Sequence, residues 1–348
     1  MKRVAVIGGD GIGPEVVAAT IPVIDRVLAD AGDSIDWRHL PYGADHYLDT
    51  GETLPEAAFE HIRDDADAIL LGALGDPRVP SNVHARDILL GLRFKLDLYI
   101  NFRPCRLLHP SLCPLRTLDV DRPIDFVIFR ENTEGSYLGR GSSENEDTDN
   151  EIQISEEVHS APKVHRIVEA AFEWARANSR SHVTMSDKSN AIPAHRLWGR
   201  IFEEVGEHFP EIDREHRYID ALAMELVRDP QRFEVIVTNN LYGDIISDLG
   251  AQLVGGMGLA ASANLHPGRP GLFEPVHGSA PPLAGKNVAN PLATMLTGAL
   301  MLEQLGHADA ALRIEHAVAG TVEAGNTPED LGGSLSTREV ADSVLSML

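Results

Sequence analysis

The chain has 348 residues, 43% of them hydrophobic and few aromatic, with a net charge of −23 at neutral pH. That length allows two domains with separate cores, and so acidic a chain is a poor partner for nucleic-acid phosphates. No apolar run reaches the roughly 18 residues of a membrane span, and no signal-peptide pattern opens the chain. Two cysteines, Cys105 and Cys113, are too few for a disulfide framework or a zinc site, so a cytoplasmic location is expected. Lysine occurs only at Lys2, Lys95, Lys163, Lys188 and Lys286, so arginine carries nearly all the positive charge. An acidic, lysine-poor surface fits life at high salt, where self-repulsion is screened.

In chain order, Arg3–Ile7 reads as a buried strand running into the glycine-rich turn Gly8–Glu15. Pro14 fits the first turn of the following helix, and Pro22 is expected to kink or restart it. The glycines do not match G-x-G-x-x-G, because from Gly9 and Gly11 the third position is Pro14, and no Gly-Lys-Ser/Thr follows. A Rossmann fingerprint and a Walker loop are both unsupported. Ala68–Leu71 predicts a strand, Ile88–Asp97 a helix and Phe126–Phe129 a strand. The Ser-, Glu- and Asp-rich stretch Gly141–Asn150 reads as a mobile loop or arm. Val164–Ala177 predicts an amphipathic helix, His182–Met185 a strand and Leu197–Val205 a helix. Another helix is expected between Tyr218–Ala221 and Glu234–Thr238. Strands alternating with helices indicate an α/β fold with a largely parallel sheet.

Val235–Val237 reads as a buried strand, followed by a helix expected to start near Gly243. On such a helix Asp244 and Asp248 share a face, and a hard divalent cation between them would relieve their repulsion. A solvated helix face is the ordinary alternative. Arg93, Arg103 and Arg130 sit where regular elements give way to loops, and guanidinium groups suit bidentate carboxylate binding. Lys188 follows an apolar strand, and a lysine partly buried beside a metal ion releases its proton more readily. Tyr137 is a candidate proton donor. His277–Ala280 is a short loop able to approach a nucleotide closely.

Taken together, GDGIGPE at Gly9–Glu15, NFRP at Asn101–Pro104, RENTEG–Y at Arg130–Tyr137 and DKSN at Asp187–Asn190 resemble one family in order. So do IDA at Ile219–Ala221, NLYGDIISD at Asn240–Asp248, EPVHGSAP at Glu274–Pro281 and NP at Asn290–Pro291. It is the β-decarboxylating (isocitrate/isopropylmalate) dehydrogenase family, and the match spans essentially the whole chain. The resemblance implies a two-domain, non-Rossmann α/β/α fold. A cofactor-binding domain would comprise residues 1–98 and 255–348, and a dimerisation and metal/substrate domain residues 99–254. It implies a homodimer whose cleft site is completed by Lys188 and Asp220 of the partner chain.

The resemblance further implies Mg²⁺ or Mn²⁺ on Asp220, Asp244 and Asp248, and carboxylates held by Arg93, Arg103 and Arg130. Lys188, Tyr137 and Asp220 would be catalytic, and NAD would lie against Glu274, His277, Gly278, Ser279, Ala280 and Asn290. The implied reaction is oxidative decarboxylation of a 3-substituted malate. Leu89 and Leu90 cannot satisfy an extra carboxylate but can accept an alkyl group, each buried CH₂ contributing about 0.8 kcal/mol, which favours 3-isopropylmalate. Two positions depart from the family pattern. Ala191 stands where isopropylmalate relatives often have Val, which opens room for a bulkier alkyl or arylalkyl group. Pro282 stands where NAD-linked relatives place Asp against the adenosine ribose, and no basic replacement is visible in that loop. Alternatives to this reading are a tartrate-type substrate, a non-catalytic paralogue and a metal-dependent hydrolase.

Overall fold

The computed structural model describes every residue except Thr117 and divides into two compact units. The first comprises Met1–Leu98, Arg106–Leu118 and Ala251–Leu348, the second Tyr99–Cys105 and Asp119–Gly250. Sequence reasoning placed all of 99–254 in the second unit. Arg106–Leu118 and residues 251–254 belong instead with the first, where Arg106 Nη1 donates to Glu315 Oε2 at 2.7 Å.

The first unit opens with β1 Lys2–Gly9, α1 Gly13–Asp30, β2 Ile35–Leu40, α2 Ala44–Thr50, α3 Glu56–Asp65, β3 Ala68–Ala73 and α4 Val83–Lys95. The middle of the chain supplies β4 Ile100–Arg106, β5 Asp125–Glu131, β6 Gly141–Glu144, β7 Ile152–Ser155, α5 Ala161–Ala177 and β8 His182–Asp187. It continues with α6 Arg196–Gly206, β9 Asp213–Tyr218, α7 Ile219–Arg228, β10 Val235–Thr238 and α8 Asn240–Leu253. The first unit is completed by β11 Ala261–Leu265, β12 Gly271–Pro275, α9 Leu292–Gln304, α10 Ala308–Glu323 and α11 Thr337–Met347.

Strands of the first unit run in the order β2-β1-β3-β12-β11, parallel except for the antiparallel pair β11–β12. In the second unit the order is β4-β5-β10-β8-β9, with β5, β10, β8 and β9 parallel. The α/β class is therefore observed. Strand β10 is buried on both faces, as a continuous Val-Ile-Val run requires when helices cover the sheet.

Two expectations are corrected and a third is narrowed. Helix α1 passes through Pro22 as one element, because Val16, Val17, Val23, Ile24, Val27 and Leu28 stay buried on one face across it. Of the loop and the arm expected at Gly141–Asn150, the structure shows an arm: Gly141–Glu144 pairs with Ile152–Ser155 in a hairpin, Gly141 with Ser155 and Glu144 with Ile152, and residues 145–151 form its loop. Helix α8 starts at Asn240 rather than near Gly243, since Asn239 Oδ1 caps it by accepting from the Tyr242 amide at 2.9 Å.

Parallel register decides what stands together in the second unit. Thr238 of β10 pairs with Arg130 of β5 and with Ser186 of β8, and Asp187 pairs with Tyr218 of β9. Arg130, the turn after Asp187, the start of α7 and the start of α8 thus share the carboxyl edge of the sheet, where parallel α/β sheets bind ligands.

Candidate active site

The charged centre of the second unit begins with Arg130, which is 2% exposed at the end of β5. Its Nε and Nη2 donate to Asn240 Oδ1 at 2.9 and 2.8 Å, and its Nη1 forms a short ion pair with Asp244 Oδ1. Tyr137, on the short turn Gly135–Leu138, donates its hydroxyl to Asp244 Oδ2 at 2.6 Å. Burial first, and then the Asp244 carboxylate, push the Tyr137 phenol above its ordinary pKa. Gly243 lets this happen: a Cβ there would come within 2.5 Å of Arg130 Cγ. One helical turn on, Asp248 has its carboxyl raised by desolvation, opposed by Arg103 and reinforced by the charge of Asp244. Two carboxylates on one helix face, one of them resisting ionisation, make a donor set that a hard divalent cation fits. Arg103 Nε donates to Asn101 Oδ1 at 2.8 Å.

Lys188 follows β8 in a turn that Asp187 holds, its Oδ1 accepting from the Ser189 amide at 3.1 Å and facing His216 Nε2 at 2.8 Å. Lys188 Nζ donates to Asp220 Oδ1 at 2.7 Å. Asp220 stands in the first turn of α7, 68% exposed at its side chain, and its carboxyl is lowered chiefly by that lysine. Ala191, exposed in the same turn, donates its amide to Lys188 O at 2.9 Å. Asp220 is not gathered with Asp244 and Asp248 in one chain. Among the described residues the group of three with ligand atoms within 4.8 Å of one another is Glu157, His159 and His195, which sequence reasoning missed. It offers a metal little. His195 Nδ1 accepts the Lys188 amide at 3.0 Å and His159 Nδ1 accepts the Trp198 indole N–H at 3.3 Å. A neutral imidazole has one bare nitrogen, so each Nε2 carries a proton: that of His195 donates to Glu157 Oε2 at 3.1 Å, and that of His159 lies 3.1 Å from Oε1 without hydrogen-bond alignment.

The first unit holds a groove of about 620 Å³ whose lining includes Ile12, Leu283, Val288, His277, Asn290 and Asp330. Gly11 makes one edge: its φ is +57°, and a Cβ would lie 2.0 Å from Ser279 O, which accepts the Ile12 amide at 2.8 Å. Ser279 Oγ donates to Gly75 O at 2.5 Å. Gly278 and Ala280 also line the groove, and Ala280 takes a left-handed φ of +39° before the turn Pro281–Leu283. Asn290 Nδ2 donates to Asp330 Oδ2 at 3.0 Å. Burial lowers the His277 imidazole pKa, and its Nε2 is buried without a hydrogen-bond partner. An apolar cleft with a few polar groups of this size fits a nucleotide-type cofactor. Glu274 does different work: its Oε1 accepts from Arg93 Nη2 at 2.7 Å and from Asn264 Nδ2 at 2.9 Å. Leu89 packs half-buried against the core on α4, and Leu90 beside it is half-buried too. Asp10, the acidic residue of the glycine turn, is structural, accepting from the Ala44 and Gly75 amides at 2.5 and 2.7 Å.

A family model, isocitrate/isopropylmalate dehydrogenase, matches residues 3–344, and the chain belongs to that family and is an oxidoreductase of it. The chain is 45% identical over 350 residues to a 3-isopropylmalate dehydrogenase of Mycobacterium leprae, covering 99% of this chain and 100% of that one. A 3-isopropylmalate dehydrogenase of Frankia casuarinae is 45% identical over 323 residues, 92% of each chain. The crystal structure of isocitrate dehydrogenase from Methylococcus capsulatus superposes with a TM-score of 0.89 at 36% identity, covering 100% of this chain and 99% of that one. No helix among the described residues is long and apolar enough to cross a membrane.

Proposed function

We propose that the chain oxidatively decarboxylates 3-isopropylmalate to 4-methyl-2-oxopentanoate with reduction of NAD, a step of leucine biosynthesis carried out in the cytoplasm. The observation that carries this reading is the pairing of near full-length likeness to 3-isopropylmalate dehydrogenases with Lys188 on Asp220 and Tyr137 on Asp244. Mg²⁺ or Mn²⁺ on Asp244, Asp248 and a partner's Asp220 would act as a Lewis acid toward the 2-hydroxyl and the adjoining carboxylate. The chain's own groups do the rest. Arg93, Arg103 and Arg130 bind the carboxylates. Lys188 is placed to draw the 2-hydroxyl proton through Asp220, and a nicotinamide, when bound, would supply the hydride acceptor for C2. Loss of CO₂ from the β-keto acid leaves an enolate, and Tyr137 delivers the proton to C3.

A homodimer is part of this proposal. The helices that carry Asp220 and Asp244 expose Met224 and Val227 on α7 and Leu241 and Ile245 on α8, with Met224 at 71% and Ile245 at 58%. Apolar surface of that kind calls for a cover, and a second copy would bring Asp220 to the Asp244–Asp248 face. NAD is favoured over NADP because the groove carries Glu329 and Asp330, and its lining residues include no Lys or Arg. Those carboxylates would repel a ribose 2′-phosphate, and Asp330 is the acceptor in the lining that would serve ribose hydroxyls in place of Pro282.

The test is turnover followed by NADH absorbance with 3-isopropylmalate and Mn²⁺, then with EDTA, NADP and a panel of 3-substituted malates. Metal-dependent NADH formation, fastest with 3-isopropylmalate, is expected. Faster turnover of an arylalkylmalate would move the substrate toward the room at Ala191, and no nicotinamide requirement would end the reading.

A further inference from the structure

Resting on that reading of Lys188 as the base, we propose that Glu157 and His195 are positioning residues for it. The carboxylate fixes the imidazole with its proton on Nε2, and the bare Nδ1 anchors the Lys188 backbone. His195 is completely buried, at the foot of α6, and the Lys188 amide donates to its Nδ1 at 3.0 Å. An amide N–H can only donate, so Nδ1 has to be bare. The proton therefore sits on Nε2, which meets Glu157 Oε2 at 3.1 Å. A carboxylate behind an imidazole selects its tautomer and direction, as second-partner groups do for histidines generally.

The other carboxylate oxygen completes the frame. Asn239 Oδ1 is occupied as the cap of α8, so its Nδ2 turns toward the cluster and donates to Glu157 Oε1 at 3.3 Å. The 3.4 Å approach of that Nδ2 to the protonated His195 Nε2 is then a contact, not a bond. His159 Nε2 lies 3.1 Å from the same Oε1, and its Nδ1 takes the Trp198 indole N–H. One carboxylate thus ties the turn bearing Lys188 to Asn239, the cap of the helix bearing Asp244 and Asp248. The same proton placement closes both Nε2 atoms to a metal ion, so the cluster is a rigid support and no second metal centre.

Two measurements test it. In the ¹⁵N-histidine NMR spectrum of the whole protein, His195 is expected as the neutral Nε2–H form, unchanged by added Zn²⁺. A proton on Nδ1, or zinc-induced shifts, would overturn the assignment whether or not the chain turns over 3-isopropylmalate. Failure of turnover in the wild type would count against the function alone.

In turnover, His195→Ala is expected to lower kcat about 10- to 100-fold by displacing the amine, with both KM values within twofold. His195→Asn places Oδ1 where Nδ1 was and should recover most of kcat. Equal losses in the two variants with equal falls in Tm, or a kcat within twofold for His195→Ala, would sink the proposal. Glu157→Gln is the second probe. Its amide can donate to Nε2 and send the proton to Nδ1, and a drop in kcat with a switched His195 spectrum is the supporting result. An unswitched spectrum with normal kcat would count against it.

Discussion

The groove of the first unit and the charged centre of the second are built in opposite ways. The groove is a matter of backbone shape: Gly11 folds left-handed under Ser279 O, Ala280 adopts a positive φ, and the walls are mostly apolar. Its polar groups are largely paired inside the chain. The charged centre is a matter of surplus. Arg130, through Nη1, and Tyr137 both bind Asp244, and Asp248 on the next turn has a carboxyl that resists ionisation. Lys188 and Asp220 pair with each other on another part of the same unit. One region is complete in a single chain, whereas the other has the chemistry of an arrangement waiting for a cation and, on our proposal, a second copy.

The largest effect should come from removing the base. Lys188→Ala should lower kcat by about 10²- to 10⁴-fold, the usual contribution of general acid–base catalysis, while circular dichroism and Tm stay near wild type. The half-buried amine holds the exposed Asp220 carboxylate and lies 5.9 Å from the Tyr218 ring, contacts whose loss costs the fold little. Near-normal turnover would remove Lys188 from the mechanism.

Two glycines separate the regions cleanly. Gly11→Ala forces a Cβ onto Ser279 O at a left-handed φ, and Gly243→Ala drives one into the Arg130 stem. Each should cost about 1–3 kcal/mol of stability, read from urea unfolding. Beyond that they should diverge: Gly11→Ala weakens NAD binding and spares Mn²⁺ binding, and Gly243→Ala does the reverse. Parallel losses of both ligands in both variants would mean the regions are not built independently.

Acid should act on the frame behind Lys188. The imidazole N–H groups of His159 and then His195 hold the Glu157 carboxyl at about 2, against an ordinary 4.5. A depressed carboxyl stabilises the fold above its unfolded value and loses that contribution as pH falls toward the folded one. The urea midpoint of wild type should therefore drop more steeply from pH 4.5 downward than that of Glu157→Gln. Parallel curves would show that the carboxylate is not held by its histidines.

These contrasts also explain what was legible beforehand. Glycine turns and Arg, Lys or Asp at strand ends announce themselves because few other roles demand those residues there. So the alternation of elements and the α/β class could be read, and with them the candidate charged residues at the sheet's carboxyl edge. The Glu157, His159 and His195 cluster had no such mark: Glu157 and His159 lie in the loop before α5, His195 is 36 residues further on from His159, and they meet only once the chain has folded. Strand β9 was missed for a related reason. Its residues Asp213–Tyr218 are polar and its burial pattern never reaches a fully buried position, so an edge strand held by pairing to β8 looks like a loop. The hairpin Gly141–Ser155 has four exposed residues on each strand; Ile152 and Ile154 alternate with Gln153 and Ser155, but the first strand, Gly141–Glu144, carries no apolar residue to match them.

The cofactor groove offers a smaller test of its own half of the contrast. If Glu329 and Asp330 set the preference, Glu329→Gln should narrow the NAD-to-NADP ratio of dissociation constants several-fold, up to about the tenfold that 1.4 kcal/mol represents. Binding measured by fluorescence, without turnover, keeps this apart from events around Lys188. An unchanged ratio would return the question to the loop at Pro282.

The smallest expected effect concerns neither region but the surface they share. The chain has 53 Asp and Glu against 30 Lys and Arg. At low ionic strength these charges repel one another across tens of ångströms, and at molar salt the Debye length shrinks to about 3 Å, so only near neighbours still interact. The many surface pairs, such as Lys2 with Asp67 and Arg313 with Asp30, weaken with salt at the same time. Exposed pairs are each worth under about 1 kcal/mol, while the excess of negative charge acts on the whole compact state, so relief of repulsion should win. The urea midpoint should rise steadily from millimolar to molar KCl and rise equally in Gly11→Ala and Gly243→Ala, because neither change touches charge. A midpoint that falls or stays flat would place the acidic composition outside any adaptation to salt.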